Sequence, residues 1–167
     1  MNNIEFVKGD MIELTKQGKF DAVGHGANCF HTMGAGIAPK LNKMSDGKLL
    51  KVDKTTPYGD INKLGTITCC SNEVNGRVVR FFNLYTQYTY GDTRQGQVYV
   101  HWGSVFYSLM AMITLCPYGD GTDIGIPLIG CGLAGGSRRN FLIPLARLES
   151  TNVLVERNVN LTVVELP

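Results

Sequence analysis

The sequence predicts an α/β layered fold, and three observations carry that prediction. Short apolar runs alternate with longer amphipathic stretches along the chain. Two of the apolar runs open directly into glycine-rich loops, from His25 to Ala38 and from Ile129 to Gly136. No linker, repeat or low-complexity stretch interrupts the alternation, and 167 residues suit a single domain over 1–167.

Each element follows from its own pattern. Ile4 to Lys8 reads as a first strand, and Phe20 to His25 as a second that runs into the first glycine loop. Gly36 to Met44 fits a helix behind that loop. Thr66 to Cys70 and Arg77 to Tyr85 flank Asn75-Gly76, a pair that supplies the positive φ angles of a type I′ turn, so they read as a hairpin. Tyr99 to Cys116 is the strongest helix, with Trp102, Val105, Phe106, Leu109, Ile113 and Cys116 at spacings of three and four. Ile124 to Ile129 reads as a buried strand and Leu161 to Leu166 as the last strand. Between Asn140 and Asn152 the alternation asks for a helix. Proline is tolerated in a helix's first turn, so Pro144 places the start near Ile143.

Composition narrows the function classes. A net charge of +2 gives no bulk electrostatic case for nucleic acid or membrane binding. The five cysteines form an odd set without framework spacing, which points to free thiols in a reducing compartment. The opening residues lack the basic and apolar regions of a signal peptide, and no run approaches a membrane span. A cytoplasmic location, no membrane partner, no cofactor and no metal are the expectations.

The glycine loops are the candidate chemistry. If their strands are parallel, both loops leave at the carboxyl edge of the sheet, where open α/β sheets bind ligands. Glycine lets the backbone approach a ligand closely and aim successive N–H groups at it, and a helix start behind the first loop favours an anion. Two such loops facing each other would cradle a diphosphate. Neither loop completes a P-loop or a GxGxxG fingerprint. Plainer readings stand beside these. The glycines could only turn the chain, Asp10 could cap a helix that begins at Met11, and Asn28 could be a turn residue. Cys131 reads as a small packed residue, and His101 as surface or core.

Along nearly its whole length the sequence resembles the macro-domain family. The resemblance rests on Val7-Lys-Gly-Asp10, on Asp21-Ala22-Val23 leading to Asn28, on Met33-Gly-Ala-Gly-Ile-Ala38, on Ile126 to Gly136 and on the strand Leu161 to Leu166. The Met-Gly-Ala-Gly-Ile-Ala and Ile-Gly-Cys-Gly-Leu pieces are most similar to the branch of ADP-ribose-1″-phosphate phosphatases and terminal ADP-ribose glycohydrolases. Tyr85 to Gly91 is similar to small phage and bacterial members. The resemblance implies a three-layer α/β/α fold with a central mixed sheet, and a ligand that is ADP-ribose or ADP-ribose-1″-phosphate, with ADP-ribosylated macromolecules as further partners. It implies that Asp10 accepts from the adenine amino group, with Met11 contributing backbone, and that Asn28 lies near the distal ribose. Met33, Gly34, Ala35, Gly36 and Ile37 would wrap one side of the diphosphate. Gly130, Cys131, Gly132, Leu133, Ala134 and Gly135 would wrap the other.

The sequence also departs from its relatives. Glycohydrolases of this branch carry an aspartate where Ala134 stands and a lysine where Gln87 stands, and neither replacement can do general-base or covalent work. Gly136-Ser137-Arg138-Arg139 replaces a Gly-Asp-Trp, which puts two guanidiniums near the expected phosphate site or simply in solvent. The expected activity is therefore hydrolysis of the 1″-phosphate, with Asn28 and His31 as catalytic candidates and His25 as the alternative histidine. A non-catalytic ADP-ribose-binding module and an ADP-ribosyl hydrolase working by a substrate-assisted route are the competing readings.

Overall fold

Strands Ile4–Lys8 (β1), Ala22–Ala27 (β2), Ile67–Val74 (β3), Arg77–Tyr85 (β4), Thr122–Pro127 (β5) and Val159–Glu165 (β6) form one sheet in the order β1-β6-β5-β2-β4-β3. This arrangement comes from a computed structural model, in which residues 3–116 and 121–167 are described. β1, β6, β5, β2 and β4 pair in parallel, and β3 joins β4 antiparallel, so the sheet is mixed. The hairpin turns at Asn75 and Gly76, with φ of 49° and 82°, and Val74 lies opposite Arg77. These are the backbone angles the Asn-Gly pair predicts.

Helices cover both faces. Met11–Lys16 (α1), Ala38–Met44 (α2) and Lys48–Asp53 (α3) lie on one side, and Trp102–Leu115 (α4), Arg138–Ser150 (α5) and Val153–Glu156 (α6) on the other. A 3-10 turn spans Ile61–Lys63. Alternate residues of the buried strands feed two cores. Val23, Phe81 and Val164 pack with Met11, Leu41 and Leu49, while Ala22, Phe82 and Val163 pack with Leu109, Phe141 and Leu154. Because both faces are covered, the parallel strands read as continuous apolar runs. The result is the expected three-layer α/β/α arrangement.

Some elements differ from the sequence reading. Phe20 is not in β2; it is fully buried, and its ring fills the space that a side chain on Gly125 would take. β3 continues to Val74 rather than ending at Cys70. α5 begins at Arg138, not near Ile143, because the Ser137 hydroxyl caps it by accepting from the Asn140 amide at 3.2 Å. Pro144 sits inside this helix and is buried, where it cannot donate to the Asn140 carbonyl. α3 and α6 have no counterpart in the sequence reading. Among the described residues no helix is long and apolar enough to cross a membrane.

The packing of Phe20 on β5 gives a stability test. A β-carbon on Gly125 would lie 2.7 Å from the Phe20 ring. Gly125→Ala should lower the unfolding free energy by about 1–3 kcal/mol, the usual cost of overpacking a filled core. An unchanged urea midpoint would show that the ring is free to move aside.

Candidate functional site

The parallel pairing brings the carboxyl ends of β1, β6, β5, β2 and β4 to one edge of the sheet. A cavity of about 610 Å³ runs along that edge. Gly9, Asp10, Met11 and Ile12 follow β1 and line one end together with Val164 and Leu166 of the β6 end. Pro127 to Gly130 close the middle. His25, Gly26, Asn28 and Thr32 line the other end with Gln87, Tyr90 and Gly91 from the segment after β4. The two glycine loops form opposing walls. Gly34, Ala35, Gly36 and Ile37 lie on one side, and Gly132, Leu133 and Ala134 on the other. A β-carbon on Gly36 would come within 3.6 Å of Leu133 Cδ1, so the loops face each other.

The loops are built differently. In the second, Gly130 and Gly135 have positive φ, and their missing side chains make room for Val100 and for the Gln97 carbonyl. The loop closes on itself through Gly135 N–H to the Gly132 carbonyl at 3.0 Å and Gly136 N–H to the Gly130 carbonyl at 2.7 Å. In the first, the Asn28 side chain ties the turn by accepting from the Phe30 amide at 2.8 Å and donating to the Thr32 carbonyl at 3.0 Å. α2 then starts at Ala38. Among the described residues the N–H groups of Gly34, Ala35, Gly36, Gly132, Leu133 and Ala134 have no hydrogen-bond partner.

Asp10 is both cap and cavity wall. Its Oδ1 accepts from the amides of Ile12 at 2.8 Å and Glu13 at 3.3 Å, so the helix-cap reading holds. Oδ2 has no partner among the described residues. Lys40, on α2, is the one lysine on the cavity lining and makes no ion pair or hydrogen bond among the described residues.

Four residues expected at the ligand are not in the lining. His31 has φ 55° and points its Nε2 at the Thr56 hydroxyl, 3.1 Å away, with its ring against Tyr58. Met33 is buried among the α1–α3 core residues. Cys131 turns its thiol toward the Ile129 carbonyl and packs on the α4–α6 core, and burial pushes that thiol's pKa up. Gly135 belongs to the closing turn under Gln97. Arg138 is paired with Glu165 at 2.9 Å and lies over the Phe6 ring, away from the cavity. His101 caps α4 by accepting from the Ser104 amide at 3.2 Å.

His25 does reach the cavity, but its nitrogens do not. Nε2 is 2.7 Å from Asn83 Oδ1 and Nδ1 is 3.0 Å from the Gly26 carbonyl. Burial holds its pKa below the ordinary imidazole value, against the opposing pull of these hydrogen bonds. Gln87 is likewise engaged, donating to the Thr89 carbonyl at 2.8 Å. No group of three or more His, Cys, Asp or Glu side chains among the described residues is placed to hold a metal ion.

No family model matches the chain. Over 140 residues it is 34% identical to an uncharacterized 17.5 kDa protein from the tk-vs intergenic region of Enterobacteria phage T4, a match covering 80% of this chain and 82% of the phage protein. The macrodomain of Mycobacterium tuberculosis DarG superposes with a TM-score of 0.64 at 16% identity, over 96% of each chain. The chain has the macro domain fold and belongs to the phage protein's family. Thermosipho africanus DarTG, solved in complex with ADP-ribose, gives a TM-score of 0.65 at 16% identity, over 100% of this macro domain and 42% of that chain.

Sequence reasoning missed Lys40, Thr32, Tyr90 and Gly91 in this macro domain's cavity. Lys40 follows the first loop at the third position of α2, where a helix start behind a glycine loop could have drawn notice to it. Tyr90 and Gly91 had no such signal. They reach the cavity because residues 86–101 fold back, with Gln87 bridged to Val100 and the His101 amide donating to the Thr86 carbonyl.

The depressed His25 pKa sets a pH dependence. The unfolded chain takes up a proton near pH ~6.5 that the buried ring refuses. The stability from His25 is thus present above that pH and is lost as pH falls through it. Unfolding free energies measured from about pH 5 to 8 should fall on the acid side, and His25→Asn should flatten that fall. Parallel pH profiles for the two proteins would contradict the assignment.

Proposed function

We propose that this macro domain binds ADP-ribose, with the adenine at the Asp10 end of the cavity and the diphosphate between the two glycine loops. The observation that carries the reading is the bare backbone of those loops. Gly34 and Gly132 do not have positive φ, and a β-carbon on either would meet nothing within 4 Å. Neither turn geometry nor packing calls for glycine there. Close approach of a ligand does, and the unpartnered N–H groups beside them suit phosphate oxygens. Asp10 Oδ2 is free to accept from an exocyclic amine while Oδ1 keeps the cap. The ADP-ribose in the structurally similar DarTG supports the same reading.

Hydrolysis of ADP-ribose-1″-phosphate is the finer expectation, and it needs a proton carrier at the Asn28 end. His31 is turned to Thr56, His25 gives its single Nε2 hydrogen to Asn83 with Nδ1 against the Gly26 carbonyl, and Asn28 ties its amide to its own loop. Lysine and aspartate are absent at Gln87 and Ala134, which also disfavours glycohydrolysis. Recognition without turnover is therefore the reading the geometry supports best. The 1″-phosphate form and ADP-ribosylated macromolecules are then ligands of the same site, differing in the group attached to the distal ribose. Five free thiols fit a reducing, cytoplasmic setting.

ADP-ribose should raise the melting temperature through binding to the native state, and AMP, which cannot span both loops, should raise it much less. Equal shifts from the two ligands would sink the two-loop cradle. Phosphate release from ADP-ribose-1″-phosphate should not exceed the rate in buffer, and release abolished by His25→Asn would establish the phosphatase instead.

Two variants separate the roles of Asp10. Asp10→Ser keeps a capping oxygen but removes the second acceptor, so stability should hold while ADP-ribose affinity drops by about 1–3 kcal/mol. Asp10→Ala should lose affinity and about 1 kcal/mol of stability as well. Calorimetry showing full affinity in Asp10→Ser would leave Asp10 as a cap alone.

A further inference from the structure

On the α1–α3 face, below the Asn28 end of the cavity, β2 and β4 present polar side chains where apolar ones would be expected. His25, Asp53, Lys63, Asn83 and Tyr85 are each no more than 6% exposed. They form one connected path. His25 Nε2 donates to Asn83 Oδ1 at 2.7 Å. Asn83 Nδ2 spends its hydrogens on the Leu49 carbonyl at 3.1 Å and the Thr68 hydroxyl at 3.0 Å. Thr68 must therefore donate onward to the Tyr85 hydroxyl, 3.0 Å away, and Tyr85 donates to Asp53 Oδ1 at 2.6 Å. Along the links from His25 through Asn83, Thr68 and Tyr85, each donated hydrogen points toward the Asp53 carboxylate. Burial and that carboxylate push the Tyr85 hydroxyl well above the usual phenol range, so it stays a donor.

Lys63 faces the same carboxylate. Its Nζ lies 3.9 Å from Asp53 Oδ1 and 4.6 Å from the Tyr85 ring centroid, and it donates to the Cys29 carbonyl at 3.3 Å. An ion pair buried this deeply, at a separation longer than a hydrogen bond, is a poor source of stability, because desolvation offsets its attraction. What the pair does have is two arms that end at the cavity. One reaches the carbonyl next to Asn28, and the other reaches His25.

We propose that Asp53 and Lys63 are positioning residues for the distal end of the ligand. Lys63 shares with the Gly59 amide, 2.8 Å away, the hold on the Cys29 carbonyl and with it the Asn28 turn, while Asp53 holds the His25 ring through Tyr85, Thr68 and Asn83. This rests on the ADP-ribose reading, with the adenine at Asp10. The pair then serves the part of the ligand beyond the diphosphate, and ADP, which ends there, does not depend on it.

The test compares ADP with ADP-ribose on wild type and on the double variant Asp53→Asn, Lys63→Met, which removes both charges together so that neither is left buried alone. The double variant should melt no lower than wild type and bind ADP as wild type does, while ADP-ribose loses its margin over ADP. Tyr85→Phe keeps the ion pair and cuts the path; it should shift the His25 ring ¹⁵N resonances and also narrow that margin. It carries the test if the double variant fails to fold. An undiminished margin in the folded variants would overturn the proposal, and so would equal losses for both nucleotides, which would mark the pair as serving the fold generally. Wild type binding neither nucleotide would overturn the ADP-ribose reading itself and this proposal with it.

Discussion

The parallel pairing of β2 with both β4 and β5 puts three strand ends, and the loops that leave them, on one edge of the sheet. The same alignment carries through β6 to β1, so the cavity draws on loops that are far apart in the chain. Each glycine-loop wall leaves a strand, β2 or β5, that is packed on both faces. The loops can therefore leave backbone N–H groups unpaired at a concave surface without losing their shape. Shape is maintained from behind, by Val100 and Gln97 against the second loop and by the Asn28 turn in the first.

The glycines divide along the same line. Gly130, Gly135 and Gly136 face the protein, and a side chain on any of them would strike Val100, the Gln97 carbonyl or the Gly130 carbonyl. Gly34 and Gly132 face open space. One set shapes the loop and the other keeps the shaped surface bare. A count of glycines in the sequence cannot tell the two sets apart, because the difference lies in what stands opposite each Cα.

Most of the architecture was legible because it rests on local pattern. The strands announced themselves as apolar runs, the hairpin by Asn75-Gly76, and α4 by the spacing of its buried face. α5 was misplaced because Ser137, a local cap, outweighed the signal of Pro144. Of the site, the loops were legible as loops, but not the direction of their side chains. Met33 and Cys131 sit beside the bare glycines in sequence and turn into the two cores. His31 stood out as a loop histidine, yet its positive φ swings the ring toward Thr56. The buried path from His25 to Asp53 had no sequence signature at all, since its members come from β2, β3, β4 and α3 and meet only when the sheet forms.

The pairing of β1 bears on the order of assembly during synthesis. β1 is an edge strand whose neighbour in the sheet is β6, with Ile4 opposite Leu161. A ribosome delivers residues 4–8 long before residues 159–165, so β1 must wait unpaired while β2 to β5 dock around it. Asp10 comes just after β1, and the Gly9 amide beside it gains its partner, the Glu165 carbonyl, only when that last strand slots in. A nascent chain would therefore hold both glycine loops before β1 was paired, and the Asp10 wall of the cavity would be completed in a single late step rather than by degrees.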